Sequence, residues 1–126
     1  MSIKDYIIKQ MLKTEIVSDL PGRLRLKLSH HKNIPGEAFD YVQHVIEAIS
    51  MLYGVESVKF NTAIGTALIT YDSRQLSSQK ILGWIEDVTK TGLENTELIK
   101  KLGQTDPDYL KAHIEKLLRE KLKEKR

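Results

Sequence analysis

Leucines alternate with charged residues between 23 and 28, so that Leu24, Leu26 and Leu28 fall on one side and Arg23, Arg25 and Lys27 on the other. A period of two is that of a strand with one covered face. Ile16 and Val17 lead into it through Leu20-Pro21-Gly22, a turn or bulge signal, and the loop of residues 29–36 ends it. Beyond that loop the period lengthens. Ala38, Phe39, Val42, Val45, Ile46, Ile49 and Leu52 recur at helical spacing, with Gly54 placed to terminate the helix. Residues 55–60 then read as a strand with Val58 and Phe60 on one face. Residues 61–65 make a tight reversal, and 66–72 return with Ala67, Ile69 and Tyr71 on one side. Leu68 interrupts the polar side of that strand, which predicts a partly covered second face.

Ser77 or Ser78 caps a second helix, striped by Ile81, Trp84, Ile85 and Val88 and ending near Gly92. Strand, helix, hairpin and helix give βαββα. Both helical stripes can be buried only on one face of the sheet, so the fold class is α/β: a two-layer α+β sandwich of the split βαβ kind. A closing fourth strand is hard to find. Residues 96–102, TELIKKL, are the one candidate, and they read equally well as helix. Helical segments extend both ends. Residues 2–12 carry Ile3, Ile7 and Met11 on one face. Asp106-Pro107 starts a last helix, with Tyr109 beside an apolar stripe of Leu110, Ile114, Leu117, Leu118 and Leu122. The expected division is 1–13, an N-terminal extension; 14–103, the sandwich; and 104–126, a C-terminal amphipathic helix.

Composition narrows the chemistry. With 40% hydrophobic and 29% charged residues, the 126-residue chain is globular and large enough for one core. It has no cysteine, which excludes disulfides and thiolate-held metal. No stretch has the length of apolar sequence that a membrane span needs, and the first residues lack signal-peptide character, so a cytoplasmic location is expected. A net charge of +3 is too balanced to imply nucleic-acid binding by itself. The excess gathers at residues 116–126, where six basic side chains meet two acidic ones, as suits a helix C-terminus.

Candidate sites follow from residue type. His30 and His31 are the leading metal ligands, because a loop can present an unprotonated imidazole to a divalent transition metal or to haem iron. His44 shares a helix face with Asp40 and Glu47, a spacing that suits either a hard cation or a solvated surface. Arg23, Arg25 and Lys27, with Lys59 on a neighbouring strand as their expected extension, form a basic row suited to haem propionates or another anionic ligand. Met51, Tyr53 and Tyr71 could flank a flat one. No aromatic alternates with the basic row, so single-stranded nucleic acid lacks a stacking platform. The C-terminal stripe from Tyr109 to Leu122 either packs within the chain or meets a protein partner or a second copy, giving a homodimer. Peripheral membrane contact through this helix is disfavoured by its acidic residues. The glycines are isolated, no serine has the setting of a nucleophile, and the carboxylates are not paired, so an enzyme is not expected.

The run PGRLRLKL (21–28), the helix after it, LYGVESVKFNTAIGTALITYD (52–72) and the helix over 77–91 together resemble a heavy-metal-associated domain. More closely, they resemble its cysteine-lacking second branch, where a Pro-Gly-Arg opening replaces the metal motif. The resemblance covers roughly residues 14–92. It implies a ferredoxin-like fold and an accessory or trafficking role. Metal-binding relatives carry Cys-x-x-Cys in the loop after the first strand. Here His30-His31 stands in that loop, so two-thiolate copper transfer is not inherited.

Overall fold

A computed structural model describes residues 15–27, 39–61, 63–103 and 105–124. The elements run β1 (Glu15–Leu20), β2 (Arg23–Lys27), α1 (Phe39–Ser50), β3 (Val55–Asn61), β4 (Thr66–Tyr71), α2 (Ser78–Glu94), α3 (Thr96–Leu102) and α4 (Pro107–Glu124). The helix expected over 2–12 and the loop bearing His30 and His31 lie outside the described residues.

Four antiparallel strands form one sheet in the order β1-β2-β4-β3. With its helices on one side, this is a ferredoxin-like α/β sandwich with helical extensions. The fourth strand is not at 96–102, which is the helix α3. It comes from the N-terminal side, where Pro21-Gly22 turns β1 back onto β2 with Leu20 opposite Arg23. Proline second and glycine third is the pattern of a type II turn, and Gly22 has the positive φ of 82° that such a turn requires. The expected turn or bulge at 20–22 is thus a hairpin, and the bulge lies two residues earlier, between Ile16 and Ser18.

Leu24, Leu26, Ile69 and Tyr71 point from the sheet into the core, where Ile49 of α1 and Ile81 and Ile85 of α2 cover them. Alternation along β2 is therefore real for the described residues: both leucines are buried, Arg25 is half-buried, and Arg23 and Lys27 are exposed. Ser77 caps α2, its hydroxyl accepting a hydrogen bond from the Lys80 N–H at 3.3 Å. Ser78 donates its hydroxyl hydrogen to Asp19 Oδ2 at 2.9 Å and so ties the edge strand to the helix.

A second cluster lies on the far side of the helix layer. Trp84 is fully buried and donates its indole N–H to the Ala48 carbonyl at 3.0 Å, joining α2 to α1. Leu118 closes this cluster, with Val88 and Ala48, and Ile114 and Leu122 pack at its border. The α4 stripe therefore docks within its own chain. Asp106 caps that helix, Oδ1 accepting from the Tyr109 N–H at 3.2 Å.

Candidate functional site

The face of the sheet away from the helices carries the basic row. Antiparallel register places residues directly across from one another on the same face. Arg25 is opposite Leu68, and Leu68 is opposite Lys59, so two cations flank one leucine across three strands. Strands lie about 4.8 Å apart, which sets the two basic Cα atoms roughly 10 Å from each other. Flexible side chains of this length can converge over the leucine. Lys27, Thr66 and Asn61 form the next row, and Arg23, Thr70 and Ser57 the row on the other side, where the Ser57 and Thr70 hydroxyls are hydrogen-bonded.

Arg25, Lys59 and Leu68, with Phe60, Asn61, Ile64 and Thr66, line a shallow basin of roughly 440 Å³ beside the β3–β4 turn. Ile64 is 52% exposed at its rim. Among the described residues, none of Arg23, Arg25, Lys27 and Lys59 forms an ion pair. The neighbouring carboxylate on this face is Glu15, opposite Lys27 at the corner. Leu68 is half-buried, as its break in the polar pattern predicts. Sequence periodicity finds the three β2 cations. Register, which follows from the hairpin, brings Lys59 and Leu68 beside them. Nothing in the local pattern marks Ile64.

The other described candidates do not gather around this basin. His44 is exposed on α1, with Nδ1 3.9 Å from Glu47 Oε2. Glu47 also meets Lys111 Nζ of α4 at 3.6 Å. No group of three or more His, Cys, Asp or Glu residues that could hold a metal ion occurs among the described residues. Tyr71 is buried in the sheet core, Met51 packs on the Trp84 cluster, and Tyr53 is exposed, so the three do not line one slot. On α4, Leu118 is 2% and Tyr109 57% exposed; Leu110, Ile114, Leu117 and Leu122 are half-buried. Tyr109 stacks on His113, with ring centroids 6.2 Å apart.

The fold is built without a thiolate metal motif, since the chain has no cysteine, and its family assignment is that of a small accessory or binding domain. The chain belongs to the heavy metal associated domain 2 family, whose model matches residues 6–124. Membership fits a non-catalytic role. No curated protein and no solved structure matches the chain. Among the described residues, no helix is long and apolar enough to cross a membrane.

Proposed function

We propose that this chain is a cytoplasmic, non-catalytic binding domain that receives an anionic ligand on the open face of its sheet. The observation that supports this reading is the Arg25–Leu68–Lys59 row, flanked by Arg23 and Lys27, with no carboxylate paired to any of the four cations among the described residues. Cations gathered on one sheet face raise local anion concentration, and backbone pairing that holds them in register lowers the reorganisation needed for binding.

A metal-containing ligand is a second reading, which the family description favours. Haem would present its propionates to Arg23 and Arg25 and its iron to His30 or His31, residues that follow Lys27 closely in sequence. Recognition through α4, alone or in a homodimer, has Tyr109 as its most exposed apolar group.

Backbone amide shifts of the wild type, Arg25→Gln/Lys59→Gln and His30→Ala/His31→Ala would be followed during titration with poly-glutamate, Zn(II) and haem. Salt-sensitive poly-glutamate shifts on β2, β3 and β4, lost in the Arg25/Lys59 variant, support the sheet-face reading. Haem or zinc binding lost in the histidine variant supports the metal reading. Poly-glutamate and haem both leaving the open-face amides unmoved would refute recognition by this face.

A further inference from the structure

The basic face is not uniformly polar: Leu20 stands opposite Arg23 at its β1 edge, and a second apolar patch forms the floor of the basin. Leu68 lies between Arg25 and Lys59, and Ile64 projects at the end of the same basin. A free phosphate or another simple anion makes no use of that floor. A basin open along the sheet cannot enclose most of a small ligand, as small-molecule sites do. Tyr71 is buried in the helix-side core, and Phe60, opposite Ala67, borders the basin without alternating with the cations, so nucleobases lack a row of stacking rings. A second copy laid face to face would set these four cations against four, which like-charge repulsion opposes.

Resting on the binding reading above, we propose that the basin takes an acidic peptide segment of a partner protein, with one large apolar side chain seated on Leu68 and Ile64 and carboxylates on either side reaching Arg25 and Lys59. The cations along β2 alternate at two-residue spacing, about 6.8 Å. Arg23 and Lys27 therefore lie on either side of Arg25 along the strand, where they add to the positive field around the basin. The charges guide approach and register, and the apolar contact at the centre supplies discrimination.

Fluorescence anisotropy tests this with three labelled synthetic peptides: glutamates flanking a central leucine, the same peptide with serine for leucine, and a lysine-for-glutamate version. The leucine peptide is expected to bind about tenfold more tightly than the serine peptide. The lysine version should not bind. Arg25→Gln/Lys59→Gln should abolish binding, whereas Leu68→Asn, checked for folding by Trp84 emission, should lower the leucine peptide to the affinity of the serine one. Equal affinity for the leucine and serine peptides, with poly-glutamate still bound, would overturn the peptide proposal and leave the sheet-face reading intact. Failure of every acidic probe would overturn both. Tighter binding of an alkyl carboxylate or a single-stranded oligonucleotide than of the leucine peptide, or self-association abolished by Arg25→Gln/Lys59→Gln, would assign the face to another occupant.

Discussion

Replacing Leu118 with alanine tests whether α4 completes the core of its own chain. The side chain is 2% exposed and meets Trp84, Ala48 and Val88. Leucine to alanine removes about three carbon atoms, or about 2.4 kcal/mol at ~0.8 kcal/mol per buried methylene. The void left behind adds to that loss, and relaxation of a terminal helix subtracts from it. Leu118→Ala should therefore cost about 2–3.5 kcal/mol, inside the range of about 2–5 kcal/mol usual for such changes. Leu117 is half-buried one position away, and Leu117→Ala should cost about 1 kcal/mol or less. Urea unfolding followed by Trp84, the one tryptophan, reads both directly because Trp84 lies in the affected cluster. With a slope of about 1–3 kcal/mol/M, the Leu118→Ala midpoint should fall by roughly 0.7–3.5 M and Trp84 emission should shift to the red. The measurement is made at two well-separated protein concentrations. Equal midpoints for Leu118→Ala and wild type, or a wild-type midpoint that climbs with concentration, would refute docking in cis and place the stripe against another chain.

Gly54 has φ 103°, and a Cβ there would lie 2.9 Å from Leu76 Cδ1 and Cγ, so Gly54→Ala should lose about 1–3 kcal/mol in the same unfolding assay. Trp84→Phe leaves the Ala48 carbonyl without its indole donor and should cost about 1–3 kcal/mol, measured by circular dichroism because the fluorophore is gone. The Asp72 carboxyl is held below its usual value of 3.8, first by side-chain hydrogen bonds from Arg74 and then by the Arg74 backbone N–H. A lowered folded-state pKa means that the contribution is present above the unfolded value and is lost as pH falls through the folded one. Midpoints of wild type and Asp72→Asn should therefore differ at neutral pH and converge below pH 3.8; a gap that widens in acid contradicts the pairing.

Strong periodicity was readable wherever burial was one-sided. Leu24 and Leu26 on β2, Ile81, Trp84, Ile85 and Val88 on α2, and the βαββα order all follow from spacing. The first strand, β1, does not. Ile16, Val17 and Leu20 are each more than half exposed, and the bulge after Ile16 breaks the alternation that would mark a strand. An edge strand with little core to cover imposes little pattern on its sequence. The helical reading of 96–102 wins because Ile99 is buried within the helical layer. Of the candidate site, Arg23, Arg25 and Lys27 were legible one strand at a time. Their meeting with Lys59 across Leu68 is a property of pairing between strands distant in sequence, which no single periodicity encodes.

Supplying the sheet's edge from a two-residue hairpin also changes when the sheet can be finished. All four strands have been made by Tyr71, and the β1–β2 and β3–β4 pairings are each between sequence neighbours, so little loop-closure entropy opposes them. During synthesis, the sheet can assemble while α3 and α4 are still inside the ribosome. The later helices then arrive at a platform already built, with Trp84 as the contact that α4 completes.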